Sequence, residues 1–327
     1  MKSSIMNYLM NIEIDLINDY EQLLEKHLIA SGINYNKNDI INAYFNTEKK
    51  LIDSVPRKIY KSKEFVCPKG YEQKLQEIEQ KIIFGKNLVP FMSKNILKGN
   101  YDDLLLNDWN IYHFHLSDKM DKNEFVRRSD YELFAYFTLD SCYFIQIYPH
   151  KKKSLYSTQE MVRILYNNWP ELIEKHHIIG LSGLAEKLND SDYETLRRAK
   201  VSTFVEIAPD NVFWGIGGGY TSSGLSQEVL HKKDNYLRFL SNAQNTITNN
   251  HLIIKNTIKN MCTSHCDHYK YKLLFFSKDE LTVAEKNNRK IIQIFFSQSK
   301  LRICEPQELF GFTSIKLSSD KLLFCSV

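Results

Sequence analysis

The chain begins with apolar residues at helical spacing. Residues 5–28 place leucine and isoleucine three and four positions apart, which is the pattern of a helix with one buried face. Residues 71–84 and a second stretch to about Lys98 repeat this pattern, and Gly99 then supplies a helix stop. We therefore expect the chain to begin with several helices.

The pattern then changes to short segments rich in β-branched and aromatic residues. Three such segments, 109–116, 131–139 and 141–148, are separated by polar residues, as the strands of a sheet are. The junction between the last two segments suits a tight hairpin. We expect three sequential antiparallel strands, with N-terminal helices packed on one face of their sheet.

The second half of the chain again combines both kinds of pattern. Helical spacing covers residues 171–200 and about 226–260. Strands are expected at 201–208, 211–216, 271–276, 290–296, 301–304, 313–317 and 321–326. The sequence thus predicts an α+β fold, in which N-terminal helices pack on a small antiparallel sheet and a second α+β region ends in another antiparallel sheet. We place the two domains at residues 1–190 and 191–327.

The amino-acid composition indicates a folded protein but does not indicate which kind of partner it binds. Hydrophobic residues make up 43% of the chain and aromatic residues 13%, which is too apolar for a disordered chain. The 43 lysines and arginines nearly balance the 39 aspartates and glutamates, so that the formal net charge is +4. A basic surface for nucleic acid would therefore have to be local.

Targeting signals and disulfides are not indicated either. The N-terminal segment lacks the apolar core and the cleavage site of a signal peptide. No window approaches the roughly 18 consecutive apolar residues of a membrane span. The six cysteines are scattered along the chain and do not form a disulfide framework. We expect a cytoplasmic protein that does not contact a membrane.

The first expected strand of the middle sheet carries two histidines, His113 and His115. Residues two apart on a strand face the same side, so Trp109, Ile111 and both histidines would share one face. That face is apolar at its start and polar at its end. The cations that follow in the same region are Arg127, Arg128, His150, Lys151, Lys152 and Lys153.

Such a group of side chains has the parts for cleaving RNA without a metal. Cleavage needs a base for the 2′-hydroxyl, an acid for the leaving 5′-oxygen and a fixed cation for the phosphate. Histidines ionise near neutral pH, so His113, His115 and His150 could act as base and acid. Arg127 and Arg128 could clamp the phosphate, because a guanidinium matches its oxygens, and the lysines could bind the backbone. The paired histidines are also typical of a metal site or of a structural polar edge.

The same stretch carries a resemblance to a known family. A helical segment leads into WNIYHFHL (109–116), then a polar loop with arginine and then YELFAYFTLDSCYFIQIYPHKKK (131–153). The order of these segments makes residues 85–153 resemble the core of the RelE/HigB-type toxins. In that family, helices precede a small antiparallel sheet whose last segment is basic. The resemblance implies cleavage of mRNA, often on the ribosome, by basic residues and sometimes by histidine or tyrosine. The chain departs from the strongly basic family in the carboxylates that are interspersed here.

A second group of candidate residues lies in CTSHCDH (262–268). Its potential zinc ligands are Cys262, His265, Cys266 and His268. Tetrahedral zinc sites usually combine two ligand pairs from separated segments of the chain, whereas these four side chains all lie in one short segment. We therefore predict no metal here and no cofactor elsewhere, with a half-site completed by Cys304 as the alternative.

The only glycine cluster of the chain runs from Gly215 to Gly224 and precedes a helix. Backbone amides at such a junction can hold an anion. The cluster has neither the lysine of a Walker A loop nor the context of a dinucleotide fingerprint. We interpret it as a flexible binding loop. Its candidate ligand residues are Gly217, Gly218, Gly219, Thr221, Ser222 and Ser223.

Together these features favour a metal-independent endoribonuclease, a toxin or defence effector that acts on RNA. A protein such as an inhibitor or antitoxin could be a second partner. The alternative is a non-enzymatic interaction module, in which the glycine-rich loop and the C-terminal sheet dock a protein. The two hypotheses differ in one observation, namely whether His113, His115, Arg127, Arg128 and His150 converge in an open cleft.

Overall fold

The computed structural model of the chain describes residues 11–277, 280–295 and 300–304. It has an α+β fold, which confirms the expected class. The chain divides into two compact units. We call residues 33–231 the middle unit, and residues 1–32 with 232–327 the terminal unit.

The helices of the described residues are α1 (Leu16–Ala30), α2 (Ile40–Lys50), α3 (Glu72–Ile83), α4 (Leu104–Trp109), α5 (Glu160–Asn168), α6 (Asp190–Arg198), α7 (Gln227–Asn249) and α8 (His251–Met261). The strands are β1 (Ile12–Glu13), β2 (Lys58–Lys61), β3 (Ile111–His115), β4 (Tyr131–Phe137), β5 (Ser141–Pro149), β6 (Val205–Ala208), β7 (Asn211–Phe213), β8 (Tyr269–Phe276), β9 (Glu280–Glu285), β10 (Lys290–Phe295) and β11 (Lys300–Cys304).

The middle unit is built on a four-stranded sheet with the order β2-β5-β4-β3. Strands β3, β4 and β5 are sequential and antiparallel, as the sequence predicts. Strand β2 pairs in parallel with β5 and was not expected. Trp109 was expected in the first strand but ends α4, because Asp103 caps this short helix and Asn110 stops it in the left-handed conformation, with φ of 57°.

Each face of this sheet is covered by a different helix. Helix α3 covers one face with its buried apolar side chains. The helix contributes Leu75, Ile78 and Ile82, and the sheet contributes Phe114, Leu133 and Phe144. Helix α5 covers the other face in the same way. The helix contributes Met161, Val162 and Leu165 to this core, and the sheet contributes Ile111, Phe134 and Tyr136. An N-terminal helix thus covers one face, as expected. On the other face, His113 and His115 follow Ile111 along β3.

The middle unit extends further along the chain than the expected first domain. Tyr193 of α6, Val205 of β6 and Phe213 of β7 are buried in the same core as the middle sheet. The boundary expected between 190 and 191 therefore lies within this unit, because the short segments after it have no core of their own. Of the helical stretch expected at 171–200, only Asp190–Arg198 is an α-helix, and Pro170–Leu172 and Glu174–His176 are 3-10 turns.

The terminal unit contains a five-stranded sheet with the order β1-β8-β9-β10-β11. Strand β1 runs parallel to β8, and the other neighbours are antiparallel. Pairing of β1 with β8 explains why the helix expected at 5–28 begins only at Leu16 in the described residues. The expected strands at 313–317 and 321–326 lie outside the described residues. Within the described ranges, no helix combines the length and the apolar character needed to cross a membrane.

Candidate functional site

The polar end of the middle sheet borders an open cavity of about 490 Å³. Its lining includes His113, His115, Arg128 and His150, which are four of the five residues proposed for catalysis. Its volume lies in the range of small-ligand sites, roughly 300–1,000 Å³. The fold therefore brings together groups that are far apart in the sequence.

The strand register explains this convergence. His113 of β3 is paired with Phe134 of β4, and His115 is paired with Glu132, so these four side chains occupy one face. His150 comes directly after β5, and its backbone amide donates to the carbonyl of Asp130 at 2.7 Å. The ring centroids of His113 and His115 are 6.4 Å apart.

Glu132 connects the polar groups of this face. Its carboxylate is fully buried, and Oε1 lies 3.2 Å from Nδ1 of His115 and 3.6 Å from Nε2 of His150. The hydroxyl of Tyr156 donates to Oε2 of Glu132 at 2.8 Å. Neither Oε1 of Glu132 nor Nδ1 of His115 completes an aligned hydrogen bond with a described residue, although both atoms are buried. Such near contacts commonly tighten when a substrate binds.

The environment of Glu132 favours its ionised form. Burial raises the pKa of this carboxyl, but the close contact with His115, the neighbouring imidazole of His113 and the hydrogen bond from Tyr156 together outweigh burial, and the net pKa is lowered. A negative charge is therefore held beneath two imidazoles, and an imidazolium that forms on either has its counter-ion in place.

The lowered pKa of Glu132 predicts a pH-dependent contribution to stability. The charged carboxylate stabilises the fold above the ordinary glutamate value of 4.5, and this contribution is lost as the pH falls through the lower folded pKa. We expect Glu132→Gln to lower the urea midpoint of the middle unit at pH 7 and pH 5. The difference from the wild type should shrink as the pH is lowered below 4.5. Urea titrations at pH 7, 5 and 4 measure this difference.

Glu160→Gln is the matched control, because the side chain of Glu160 is half exposed and forms an ion pair with Lys152. This variant should unfold like the wild type at all three pH values. A constant difference between Glu132→Gln and the wild type across the pH range would contradict the proposed ionised state of Glu132.

The two arginines of the loop before β4 differ in position. Arg128 is exposed and lines the cavity, and no carboxylate of a described residue lies within ion-pair distance of it. Arg127 is also exposed, but it does not line the cavity, and its amide donates to the carbonyl of Lys119 at 2.8 Å. Arg127 therefore does not join the candidate site, because consecutive residues of an extended segment point in different directions.

The lysines after His150 do not line the cavity either. Lys152 lies over the ring of Tyr148, with Nζ 4.1 Å from the centroid and 3.1 Å from Oε2 of Glu160. Lys151 and Lys153 are exposed. The expected backbone-binding segment is thus a surface turn beside the cavity.

Arg197 and Tyr156 belong to the cavity and were not among the expected residues. The guanidinium of Arg197 lies 2.6 Å from Oδ2 of Asp108 and 4.3 Å from the ring centroid of Trp109. It also donates to the backbone carbonyl of Tyr156, which fixes the segment that carries the tyrosine. Since the partners of Arg197 are distant in sequence, no local pattern could have identified it.

The glycine-rich loop is used for packing. The amides of Gly217 and Gly219 donate to the carbonyls of Asp108 and Asn107 at 2.8 and 2.9 Å, and the amide of Gly218 donates to Gly215 at 2.8 Å. A Cβ at position 217 would lie 2.3 Å from the carbonyl oxygen of Leu106, so only glycine fits against the end of α4. These three amides are therefore not free to hold an anion, which corrects the expected role.

The hydroxyl-bearing half of the same loop is held in a turn. The hydroxyls of Thr221 and Ser223 lie 2.7 Å apart, and the amide of Thr221 donates to the carbonyl of Leu225 at 3.0 Å. Ser222 is exposed. None of the six proposed ligand residues lines the cavity at the middle sheet.

The candidate zinc ligands of the terminal unit are engaged in other contacts. His265 Nε2 is hydrogen-bonded to the hydroxyl of Tyr269, and Cys266 Sγ lies 3.5 Å from the carbonyl oxygen of His268. Cys262 Sγ lies 3.9 Å from the carbonyl oxygen of Asn288. Across the part of the chain that the structure describes, no group of three or more histidine, cysteine, aspartate or glutamate side chains is placed to hold a metal. The absence of zinc from the protein stays a prediction.

Comparison with known proteins found no matching family model, no similar curated protein and no similar solved structure.

Proposed function

We propose that the protein is a metal-independent endoribonuclease, a toxin or defence effector that acts on RNA. The observation that supports this proposal is the convergence of His113, His115, Arg128 and His150 on one open cavity. These residues belong to three segments of the chain, and they supply the proton-transfer groups and the cation that the reaction needs.

The reaction is an internal transfer at phosphorus. The 2′-oxygen attacks the adjacent phosphorus atom and loses its proton to a base, and the bond to the 5′-oxygen breaks as an acid protonates that oxygen. The products are a 2′,3′-cyclic phosphate and a free 5′-hydroxyl, so no water, metal or cofactor enters the balance. The base and the acid must both reach the phosphate, and the rings of His113 and His115, with centroids 6.4 Å apart, line the same cavity.

The surroundings of the two histidines support a different role for each. Nδ1 of His115 lies 3.2 Å from the carboxylate of Glu132, which is a counter-ion for the proton of a general acid, and His115 acts as the acid. His113 has no carboxylate of a described residue at ion-pair distance and acts as the base. Tyr156, whose ring centroid is 5.3 Å from that of His113, holds the other oxygen of Glu132.

Arg128 is the proposed phosphate clamp, with His150 beside it. The other arginine of the cavity, Arg197, is neutralised by Asp108 and cannot serve a phosphate equally well. Arg128 has no such partner among the described residues, so its charge is directed to the cavity and solvent. The resemblance of residues 85–153 to the RelE/HigB-type toxins supports the same reaction.

Cleavage of a mixed-sequence, single-stranded RNA by the purified full chain tests the proposal. We expect cleavage in the presence of EDTA, with 2′,3′-cyclic phosphate ends. Arg128→Lys should slow it, because lysine loses the bidentate fork. Arg127→Lys is the matched control, since Arg127 is the exposed neighbour that does not line the cavity, and it should cleave like the wild type.

Intact RNA with the wild-type chain would move the assignment to the non-enzymatic interaction module. Cleavage that requires added Mg²⁺ would leave RNA as the substrate and overturn the metal-independent mechanism. Equal slowing by Arg127→Lys and Arg128→Lys would remove Arg128 from the site and assign the effect to general surface charge.

A further inference from the structure

The cavity at the middle sheet has two ends of opposite polarity. Arg128 and His150 are cationic side chains of its lining, together with any imidazolium on His115, whereas Arg197 of the same lining is paired with Asp108. Asp102 and Asp103 contribute carboxylates that have no place in phosphate binding, because they repel a phosphate. A ligand that matches this lining is anionic at one end and rich in hydrogen-bond donors at the other.

Asp103 marks the end of the cavity away from the phosphate clamp. A second, small cavity of about 20 Å³ adjoins the first and shares Ser93, Tyr101, Asp103 and His113 with it. Arg128, His150 and Glu132 are absent from the lining of the small cavity, which also includes Lys50, whose ammonium donates to the carbonyls of Lys98 and Tyr101 at 2.6 and 2.9 Å. His113 therefore lies between the acidic end and the cationic end.

The two aspartates are not equivalent. Oδ1 of Asp102 accepts a hydrogen bond from Nδ2 of Asn46 at 3.2 Å, and burial raises the pKa of Asp102. Oδ1 of Asp103 accepts from the amide of Leu106 at 3.1 Å as the cap of α4, and no described residue donates to its Oδ2. A carboxylate has about four acceptor positions, so Asp103 retains capacity for two parallel donors.

Two buried atoms of the same cavity have incomplete hydrogen bonding. Nδ1 of His115 and Oε1 of Glu132 belong to side chains that are 7% and 0% exposed; they lie 3.2 Å apart, but neither completes an aligned hydrogen bond with a described residue. Misaligned polar atoms in a buried wall cost free energy, and a bound ligand that reorders this wall would relieve the cost. This observation is independent of the acidic end and indicates a ligand site.

We propose that the cavity binds guanosine nucleotides, with the guanine edge on Asp103 and the phosphate on Arg128. Guanine presents two adjacent donors, N1–H and N2–H₂, which a carboxylate accepts side by side. Adenine and cytosine each place a ring acceptor beside their single amino group, and uracil flanks its one N–H with two carbonyls. These bases therefore set an acceptor against the carboxylate. The inference rests on the proposed function, in that it makes the cavity a site for cleavage after guanosine.

Binding of 3′-GMP, 3′-AMP, 3′-CMP and 3′-UMP to the full chain, measured by calorimetry, tests the inference without relying on cleavage. We expect 3′-GMP to bind about tenfold to a hundredfold more tightly than the others, the discrimination of a good paired contact. Asp103→Asn should remove most of this preference. The variant should still fold, because asparagine caps a helix about as well as aspartate.

Asp15→Asn is the matched control, since Asp15 caps α1 of the terminal unit by the same kind of hydrogen bond, to the amide of Asn18 at 3.0 Å. It should leave the preference unchanged. Arg128→Gln should weaken all four nucleotides by a similar factor, because it acts on the shared phosphate.

Equal binding of the four nucleotides, or a guanine preference that survives Asp103→Asn, would overturn the guanine assignment. So would the failure of all four nucleotides to bind. Cleavage of the mixed-sequence RNA separates the two proposals. Cleavage without enrichment of guanosine at the 3′ ends of the products would leave the endoribonuclease standing and remove the base recognition.

Discussion

His115→Ala is expected to lower the rate of RNA cleavage about 10²–10⁴-fold, the usual effect of removing one general acid or base. The imidazole of His115 is buried, with Nδ1 3.2 Å from Oε1 of Glu132, and the proposed mechanism has it donate the proton to the leaving 5′-oxygen. Single-turnover cleavage of a defined RNA at several pH values measures the effect. A urea titration of the same variant shows whether the fold is retained.

The pH profile distinguishes a catalytic role from a structural one. A reaction with one protonated and one neutral imidazole gives a bell-shaped profile of rate against pH. His115→Ala removes the acid and should abolish the fall in rate at high pH. His113→Ala removes the base and should abolish the fall at low pH. A variant that is slow only because it is misfolded would keep the shape of the wild-type profile.

His268→Ala is the matched control for both variants, because its side chain is 56% exposed in the terminal unit, outside the cavity. It should cleave RNA at the wild-type rate. If His115→Ala also cleaved at that rate, His115 would have no part in the chemistry, and the assignment of acid and base would have to be abandoned.

The middle sheet could be predicted from the sequence because its strands carry a strong local signal. Aromatic and β-branched residues fill β4 and β5, and their connection is too short for anything but a hairpin. The shared face of His113 and His115 follows from alternation alone. Strand β2 escaped prediction because a short edge strand with two lysines has no such signal.

The candidate site was only partly predictable, because its remaining members depend on pairing between segments. Glu132 alternates with Phe134 on β4, but its contact with His115 requires the register of β3 against β4. In the sequence alone, Glu132 is one of several carboxylates interspersed among the cations of this stretch. Asp103 and Arg197 reach the cavity from α4 and α6, which only the tertiary packing brings to the sheet.

Trp109 shows how a local pattern can mislead. It begins an apolar and aromatic run that looks like a strand, yet it closes a helix that Asp103 caps and Asn110 ends. Its ring is 1% exposed and lies under the guanidinium of Arg197. Burial in this core, together with the cap and the stop, outweighs the β propensity of tryptophan.

Arg197→Met is expected to lower the free energy of unfolding of the middle unit by about 3–5 kcal/mol, because it leaves a buried carboxylate without its counter-ion. The side chains of Arg197 and Asp108 are 7% and 5% exposed, and their charged atoms are 2.6 Å apart. All three tryptophans, Trp109, Trp169 and Trp214, belong to residues 33–231, so tryptophan fluorescence in urea follows this unit.

Arg198→Met is the matched control at the next position. The side chain of Arg198 is 79% exposed and pairs with Glu194 on the surface of α6, where an ion pair contributes at most about 0.5 kcal/mol. Its urea midpoint should stay close to that of the wild type. Equal midpoints for Arg197→Met and Arg198→Met would show that the buried pair does not hold the unit together.

A double variant, Asp108→Asn with Arg197→Met, separates the loss of the ion pair from the loss of packing against Trp109. Removing the carboxylate charge should restore part of the stability that Arg197→Met loses, since the unpaired buried charge is the larger cost. The stability that the double variant does not regain measures two other contacts of Arg197, namely the contact with the indole ring of Trp109 and the hydrogen bond to the carbonyl of Tyr156. If the double variant were less stable than Arg197→Met, the carboxylate of Asp108 would be stabilised by groups other than Arg197, such as Ser202 at 3.3 Å.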